Sequence, residues 1–508
     1  TALRTPGRYR VRVSAPAVTS PWLRVDADPD QSLAALLPTF FQAQRDGAAA
    51  LPQVLGRRPA HLRDRDAAVH APARYDGGSL AADLTGTGAR VDVEGGWFDA
   101  GDYLKFTHTA AYATVALLLA RRDRGLDAAS PVGREADHGL AWLTKMFDAD
   151  TGVLYAQVGL GDGGAGRVGD HDRWRLPEAD DGAARDPADP AHYLTARPVF
   201  PANPPGEPVS GNLAGRVAAA FALGAQLAPP PKARRLLERA AALYDAADDA
   251  AGVTTYPASY YTETSADDDL ALAATQLARA ARRLADRRQT TWRADAVRRA
   301  AAHAARGGDV PGVADVGALA VTDLLPLLGG GAAADTRAAL LRHLRATLDA
   351  AAARAAAEPF GAAVDLTQFD AAPRALGVAA LARLYARASG DDRTYAGLAA
   401  LQRQWVLGAN PWGTAFLVGA GGSFPRCPHH QVANLTGGQL TGAVVNGPNA
   451  AGLLDDLPMP AGARDCAGPD LSAYDGRGSA FRDATAAWPT AEPALDFAAT
   501  ALLAFALP

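Results

Sequence analysis

Segments with helical periodicity, most of them rich in alanine and leucine, follow one another about twelve times along this chain of 508 residues. Loops rich in glycine, proline and aspartate separate them. Alternating strand and helix patterns are missing, which argues against Rossmann and TIM-barrel architectures and favours helices paired as hairpins. Six such hairpins can close into a ring. The helices are predicted at 31–46, 109–123, 132–147, 211–226, 232–248, 268–284, 292–305, 315–328, 334–356, 373–389, 394–406 and 491–506.

The first residues have a different pattern from the rest of the chain. Tyr9-Arg10-Val11-Arg12-Val13 alternates like a short strand, and the stretch 21–25 is a second strand candidate. We therefore predict a β segment at 1–28, as the tail of a small β domain would give. One helical domain is predicted at 29–508.

Composition and charge exclude several classes of partner. With 48% hydrophobic residues the chain can bury a large core. The formal charge of −5 gives no electrostatic case for nucleic acid or an anionic membrane. No apolar run reaches the roughly 18 residues of a membrane span, and no signal-peptide pattern is present. The chain starts at Thr1, as a trimmed product would, and nothing in it implies a protein partner.

Two cysteines, Cys427 and Cys466, are too few for a disulfide framework. No C-x-x-C or H-E-x-x-H spacing predicts a zinc site. One bridge across a loop and a pair of buried thiols explain the count equally well.

Three loops are unusually long, at 48–108, 149–209 and 407–490. Long loops within a compact domain are usually functional. We therefore predict that a site is assembled from these three regions and the last helix.

The first long loop contains two carboxylates three residues apart, Asp99 and Asp102, between aromatic residues and glycines. An isolated D-x-x-D pair is most often a solvated turn. Here a strongly apolar helix follows at once, which anchors the loop on the core. The pattern favours a pair that holds and activates water, with Trp97 and Tyr103 beside it as candidate substrate contacts.

The best partner acid is Glu492, which precedes Pro493 and the last apolar helix. A proline suits the first helical turn, so Glu492 is expected near the helix cap. Dry surroundings would raise the pKa of this carboxyl and keep it protonated, although the helix N-terminus opposes that shift. A purely structural capping role remains the alternative.

Other polar and aromatic residues in the long loops suit sugar recognition. His171 and Trp174 form one such group, and His429 on a Gly- and Pro-rich loop is a second hydrogen-bonding candidate. The stretch 159–164 matches G-x-G-x-x-G, but no strand-to-helix switch surrounds it, which excludes dinucleotide binding. The acidic run after Thr264 includes Asp268 and Asp269 and fits either helix capping or calcium ligation.

Taken in order, these segments resemble glycoside hydrolase family 9, an inverting endoglucanase family with an all-α (α/α)6 barrel. Gly95 to Phe106 is similar to the signature G-G-W-Y-D-A-G-D-Y-x-K-F. Phe40 to Gly47 resembles the entry-helix motif F-Y-x-Q-R-S-G, with Asp46 in place of Ser. The further matches are Arg134 to Leu143, the segments around Gln157, His171 and Trp174, Pro428-His429-His430, and Glu492-Pro493-Ala494.

The resemblance implies roles for the acidic residues. Asp102 would be the general base, Asp99 its partner in holding water, and Glu492 the general acid, with base and acid roughly 6.5–9.5 Å apart as inversion requires. It also implies a substrate contact for His429 and a structural calcium at Asp268 and Asp269, with Thr264 as a further ligand. No cofactor is required for the chemistry.

The implied function is hydrolysis of β-1,4-glucan or its soluble oligosaccharides, in a secreted or extracellular protein. Three departures modify it: Gln431 replaces the arginine of P-H-H-R, 57–61 lacks the cysteine of a zinc site, and aromatic residues make up only 7% of the chain, which disfavours crystalline cellulose. Two alternatives stay open. One is exo-action on another sugar, such as glucosamine oligomers, and the other is a non-catalytic carbohydrate-binding barrel. Residues 5–25 resemble the end of an immunoglobulin-like module.

Overall fold

A computed structural model describes residues 5–20, 22–183, 186–329 and 333–507. The helices are α1 Pro29–Ala34, α2 Leu37–Gln44, α3 Thr107–Asp123, α4 Pro131–Met146, α5 Ala179–Gly182, α6 His192–Thr195, α7 Gly211–Leu227, α8 Pro230–Asp245, α9 Asp267–Leu284, α10 Gln289–Arg306, α11 Gly317–Leu324, α12 Ala333–Ala357, α13 Ala371–Ser389, α14 Ala396–Val406, α15 Gln431–Thr436, α16 Trp488–Ala491 and α17 Leu495–Ala506. Within the described residues, twelve of them have eight residues or more, as predicted.

Six helices form a closed inner ring, in which α3, α7, α9, α11, α13 and α17 each contact the next and α17 returns to α3. The inner helices are buried along most of their length, and every residue of α11 and α17 is buried. Their many alanines let neighbouring helices pack closely. Outer helices bury one stripe only, as α10 does with 5 of its 18 residues. The all-α (α/α)6 barrel is confirmed.

Proline accounts for two differences from the predicted helix boundaries. The helix predicted at 31–46 is divided into α1 and α2, and Pro38 occupies the first turn of α2. The helix predicted at 315–328 ends at Leu324 and continues as a 3₁₀ turn that contains Pro326.

Because inner and outer helices alternate along the chain, the chain enters every inner helix from the same end of the barrel. The three long loops precede α3, α7 and α17, so all three meet at this face, which we call the barrel mouth. All three loops can therefore contribute residues to one site at this face.

The long loops are not free of regular structure, contrary to the sequence interpretation. The strands in and beside these loops are β5 Ala67–His70, β6 Tyr75–Asp76, β7 Ser79–Leu80, β8 Gly86–Val91, β9 Lys105–Phe106, β10 Phe147–Asp148, β11 Val153–Val158, β12 Val199–Pro201, β13 Asn449–Ala450 and β14 Ser479–Ala480. Six of them form one sheet in the order β10-β11-β12-β5-β8, with β9 on β11, whereas β6 pairs with β7 and β13 with β14. Pairing within the six-stranded sheet is antiparallel except between β12 and β5.

Near the N-terminus, four strands pair antiparallel as β1 with β4 and β2 with β3. They are β1 Gly7–Tyr9, β2 Arg12–Ser14, β3 Ala17–Thr19 and β4 Leu23–Val25. Pro21, part of the second predicted strand, lies outside the described residues. The division at residue 28 and the immunoglobulin-like origin of this segment stay predictions.

Two further findings concern the chain as a whole. Cys427 and Cys466 form a disulfide across the third long loop, which decides between the two sequence alternatives. None of the helices in the described ranges combines the length and apolar character needed to span a bilayer.

Candidate active site

The loop that carries Asp99 and Asp102 is held against two other segments of the barrel mouth. Leu495 N–H donates to the Asp99 carbonyl oxygen at 2.7 Å, and Gln431 N–H donates to the Gly101 carbonyl oxygen at 2.8 Å. A Cβ atom at Gly101 would overlap the carbonyl oxygen of His429, so this close approach requires glycine. The glycine of the motif thus brings the first and third long loops together.

Asp99 is almost fully buried, with 3% of its surface exposed. Its Oδ2 accepts a hydrogen bond from the Tyr261 hydroxyl at 2.7 Å, and its Oδ1 accepts one from the Thr109 hydroxyl. Burial, together with the nearby charge of Asp102, raises the pKa of Asp99 to about 7. Two fixed donors therefore orient this carboxyl.

Asp102 is paired with His171. The distance from Asp102 Oδ2 to His171 Nε2 is 2.8 Å, and His171 Nδ1 lies 3.0 Å from Asp162 Oδ1. Both ring nitrogens face carboxylate oxygens, which only a doubly protonated imidazole satisfies. Burial lowers the pKa of His171, but the two carboxylates outweigh it and place that pKa well above its ordinary value. Burial raises the pKa of Asp102, and His171 opposes the rise.

Glu492 lies beside the aspartate loop although 390 residues separate it from Asp102 in the sequence. Its Oε1 accepts a hydrogen bond from Gly101 N–H at 3.3 Å. Burial, then the nearby charge of Asp102, raises the pKa of Glu492 to about 8. The carboxyl is therefore protonated at neutral pH, while Asp102 is paired with a cation.

Glu492 lies near the cap of the last helix, two residues before the N-cap, but Pro493 does not lie in the first helical turn as expected. Glu492 is extended, with φ −79° and ψ 130°, in the connection between α16 and α17. The last helix begins at Leu495 with Ala494 as its N-cap. A residue before proline disfavours the helical region, so Pro493 keeps Glu492 out of the helix. The N-cap of the last helix is Ala494 and the Glu492 carboxyl accepts from Gly101 N–H, so Glu492 is not the N-cap of that helix.

Trp174 and His429 lie together at the mouth, with ring centroids 4.8 Å apart in an edge-to-face arrangement. His429 Nδ1 donates to the Thr485 carbonyl oxygen at 2.6 Å. Burial lowers the pKa of His429 to about 4, so the ring is neutral and its Nε2 is an acceptor. The adjacent His430 points into the core, where its Nε2 contacts Gln44 Oε1 at 2.7 Å.

Trp97 and Tyr103 do not lie where a substrate contact was expected. Each is only 1% exposed. Trp97 packs on Phe41 at a ring distance of 5.8 Å, and Gly139 leaves space for it because a Cβ there would overlap the indole. Tyr103 stacks on Phe98 at 4.7 Å. Both residues support the aspartate loop from beneath.

The arrangement agrees with comparisons to known proteins. Residues 32–505 match the family model described as Glycosyl hydrolase family 9. The chain belongs to this family. It is 30% identical over 258 residues to Endoglucanase 15 of Arabidopsis thaliana, covering 47% of this chain and 43% of that protein. It is 29% identical over 385 residues to Endoglucanase 2 of Oryza sativa subsp. japonica, covering 68% of this chain and 55% of that protein.

The matched stretches therefore span less than two thirds of these curated relatives. Among solved structures, the GH family 9 endoglucanase J30 superposes with a TM-score of 0.72 at 23% identity, covering 99% of this chain and 88% of that one. A structure of AaCel9A in complex with cellobiose-like isofagomine gives a TM-score of 0.67 at 21% identity, covering 99% of this chain and 88% of that one. At these identities the superpositions show the fold.

The family 9 site also contains residues that the sequence interpretation missed. Tyr260, Tyr261 and Asp162 surround the aspartates, and the Tyr260 hydroxyl donates to Asp162 Oδ2 at 2.5 Å. Asp162 belongs to the glycine-rich stretch set aside for lacking nucleotide-binding context. The signal available for the tyrosines was their place before the acidic run at the start of α9.

The predicted calcium position of the family 9 barrel is filled by an internal cation. Arg216, 0% exposed, places its Nε 2.8 Å from Asp269 Oδ1, and its Nη2 lies 3.3 Å from Glu263 Oε1. Asp268 Oδ2 accepts from Val316 N–H at 2.9 Å, and Thr264 is exposed. In the described part of the chain, no three His, Cys, Asp or Glu side chains are arranged to hold a metal ion. The residues present do not fit calcium.

Proposed function

We propose that this chain is an inverting β-glycoside hydrolase that cleaves β-1,4-linked glucan, or soluble oligosaccharides of it, outside the cell. One observation carries the proposal: the Glu492 carboxyl, whose pKa burial raises to about 8, lies against the loop of Asp102, with Gly101 N–H bonded to Glu492 Oε1 at 3.3 Å. A carboxylic acid beside a carboxylate base is the arrangement that glycoside hydrolysis uses.

In this mechanism Glu492 transfers its proton to the glycosidic oxygen as the bond to the anomeric carbon breaks. Asp102 takes a proton from water, and the water oxygen bonds to the anomeric carbon from the opposite face of the ring. The configuration at that carbon is therefore inverted. Asp99, oriented by Tyr261 and Thr109, accepts the second hydrogen of the same water.

His171 keeps Asp102 ionised in this scheme. Its position between Asp102 and Asp162, 2.8 Å and 3.0 Å away, supplies a positive charge that favours the carboxylate form. His429 and Trp174 form the wall of the mouth that accepts hydroxyl groups and the apolar face of a sugar.

Hydrolysis of a glucosamine oligomer is a second candidate, and one observation favours it. Asp496 is 3% exposed, and its Oδ1 has no hydrogen-bond partner. Asp370 and Asp496 line the same cavity. An ammonium group of an amino sugar would satisfy these carboxylates better than a hydroxyl group would.

The proposal is tested by incubating the protein with mixed β-glucan, cellodextrins and chitosan oligomers and following the products by NMR. We expect cellodextrins to be cleaved and the α-anomer to appear first. Initial release of the β-anomer would contradict inversion, and preferential cleavage of chitosan oligomers would favour the second candidate. Binding without any product from all three substrates would instead indicate a non-catalytic barrel.

A further inference from the structure

The glycine-rich stretch 159–164, which lacks the context of a nucleotide site, presents an acidic side chain to the catalytic group. Asp162 Oδ1 lies 3.0 Å from His171 Nδ1. The residue before it must be small, because a Cβ atom at Gly161 would lie 2.5 Å from the Tyr260 hydroxyl oxygen and 3.1 Å from His171 Cε1. The glycine-rich stretch therefore allows the carboxylate, the imidazole and the phenol to approach one another closely.

Asp162 is itself held in one orientation. Its Oδ2 accepts a hydrogen bond from the Tyr260 hydroxyl at 2.5 Å, so each oxygen of the carboxylate has its own partner. The Tyr260 ring also packs on the imidazole of His171, with ring centroids 5.6 Å apart. Burial would raise the pKa of Asp162, but the hydrogen bonds of His171 and Tyr260 and the charge of His171 lower it. The carboxyl is therefore ionised at neutral pH.

His171 connects this carboxylate to the base. Its second nitrogen, Nε2, lies 2.8 Å from Asp102 Oδ2, so the imidazole is placed between two carboxylates. A ring with a proton on each nitrogen accepts no further proton, so the proton taken from water goes to Asp102 and not to His171. A ring that lost one of its protons would carry no charge and would do less to keep Asp102 ionised. The charge of Asp162 favours the doubly protonated form of the ring.

Other titratable groups surround the same ring without bonding to it. Three of them interact with its charge, and they are Asp99, Glu492 and His429. The charge of Asp170 acts on the base in the direction opposite to that of His171 and raises the pKa of Asp102. In the part of the chain that the structure describes, only Asp102 and Asp162 hydrogen-bond to the imidazole. Asp162 is therefore the group best placed to hold the ring in its charged form.

We propose that Asp162 is a positioning residue for the base: it fixes His171 as an imidazolium, and the imidazolium holds Asp102 as the ionised acceptor of the water proton. The inference rests on the proposed function, because it gives Asp162 a part in the same hydrolysis. Asp162 acts through His171 and not on the reacting atoms. Its charge should therefore determine the pH at which the base begins to work more than the maximal rate.

The test replaces Asp162 by asparagine, which has the same shape and no charge. In Asp162→Asn the amide oxygen can accept from Tyr260 and the amide nitrogen can donate to His171 Nδ1, so both hydrogen bonds are kept. The ring then loses its charge, and the pKa of Asp102 rises because its carboxylate form has lost a cationic neighbour. We expect the acidic limb of kcat/KM for cellotetraose to move up by about one pH unit, which lowers kcat/KM about tenfold on that limb and less than about twofold at the optimum.

Asp172→Asn is the matched control. Asp172 belongs to the same loop, but its Oδ2 accepts from the N–H groups of Gly163 and Gly169 at 3.0 Å and 2.7 Å. This variant makes the same change of charge in a carboxylate that does not bond to the imidazole, and its pH profile should equal that of the wild type. An acidic limb that moves equally in Asp162→Asn and Asp172→Asn would overturn the proposal.

An NMR titration of the His171 ring separates this result from failure of the proposed function, since it needs no substrate. Its signals are assigned by their absence from His171→Gln. We expect the ring to be charged at neutral pH in the wild type, and its pKa to fall by at least about one unit in Asp162→Asn. If the wild type hydrolyses no glucan but this fall occurs, the link from Asp162 to His171 stands and the hydrolase proposal fails. An unchanged pKa of His171, or equal losses of kcat/KM at every pH, would overturn the role of Asp162.

Discussion

Two groups of buried carboxylates lie close together in this barrel, and they differ in what surrounds their charge. In the first group, Asp46 and Asp64 both contact Lys105 Nζ at 2.9 Å, and Arg197 Nη1 lies 3.1 Å and 3.0 Å from the same two carboxylates. The second group is the catalytic one, in which Asp99 and Glu492 have no internal lysine or arginine beside them among the described residues.

The pKa values of the two groups are shifted in opposite directions from their ordinary values. Burial alone would raise the pKa of Asp46, but Lys105, His61 and Arg197 hold it well below its usual range. Burial raises the pKa of Asp99 to about 7 and that of Glu492 to about 8, because only one histidine compensates the group. A buried carboxylate with a permanent cation is fixed in one state and stabilises the fold. One without such a cation exchanges protons near neutral pH and is suited to catalysis.

The Arg216 cluster shares a feature with each group, because it contains a permanent cation but the pKa of Asp269 is still raised well above its usual value. Burial raises the pKa of Asp269, and Arg216 opposes the rise through its contact at 2.8 Å. The same chemistry that a calcium ion would supply, positive charge among carboxylates at the start of an inner helix, is here supplied by a side chain. The catalytic group therefore differs from its neighbours in lacking such a charge.

The largest expected effect is on turnover. Asp102→Ala and Glu492→Gln should each lower kcat by at least about a hundredfold, since general acid–base catalysis contributes roughly 10²–10⁴. Steady-state hydrolysis of cellodextrins measures this, with circular dichroism as a check on folding. Near-normal activity in either variant would reject the role assigned to that residue.

A substitution in the first group, where cations pair with Asp46 and Asp64, should lower the stability of the fold. Lys105→Met leaves Asp46 and Asp64 with one cation fewer in a site where all three side chains are at most 3% exposed. Loss of one partner from a buried ion pair costs about 3–5 kcal/mol. Urea denaturation should show this decrease in the free energy of unfolding. Lys145→Met is the matched control, because the Lys145 side chain is one third exposed beside Asp92, and it should cost less than about 1 kcal/mol.

A smaller effect concerns pH. With the pKa of Glu492 at about 8, the acid form is lost above that pH, and kcat/KM should then fall up to about tenfold per pH unit. Because this pKa is raised on folding, the stability associated with the proton is present at low pH and is lost as pH rises through about 8. The melting temperature of Glu492→Gln relative to the wild type should therefore increase between pH 5 and pH 9. A constant difference would show that the pKa of Glu492 is not raised.

The smallest expected effect is that of chelation. Since Arg216 already supplies a positive charge beside Asp269, EDTA should leave the melting temperature unchanged, and added calcium should not raise it. Differential scanning calorimetry with and without each additive measures this. A shift of several degrees with calcium would mean that a metal site exists and that the Arg216 contact is not its substitute.

Much of this architecture could be predicted from the sequence because its signals are local. The inner helices are long apolar runs, and the Gly95–Phe106 motif has its own glycine spacing. The sheet at the mouth was missed because its strands have two to six residues and are paired across distant loops. Burial of Trp97 was missed for a similar reason, since it depends on space left by Gly139, which is 42 residues away. Side-chain direction within a loop is set by such tertiary contacts, not by the loop sequence.

The position of Glu492 was only partly predictable. Pro493 signalled a helix start, but it also restricts the preceding residue to an extended conformation, and this second effect prevailed. The roles of Tyr261 and Arg216 could not be derived, because each depends on a partner more than 50 residues away.

The central claim is that Glu492 supplies a proton to the departing sugar while Asp102 acts on water. The most direct test gives Glu492→Gln two substrates, one whose leaving group needs that proton and one whose leaving group does not. The account predicts that 2,4-dinitrophenyl β-cellobioside, whose leaving group departs without protonation, is hydrolysed at close to the wild-type rate, whereas cellotetraose is hydrolysed at least about a hundredfold more slowly. Equal rate losses for the two substrates would contradict it.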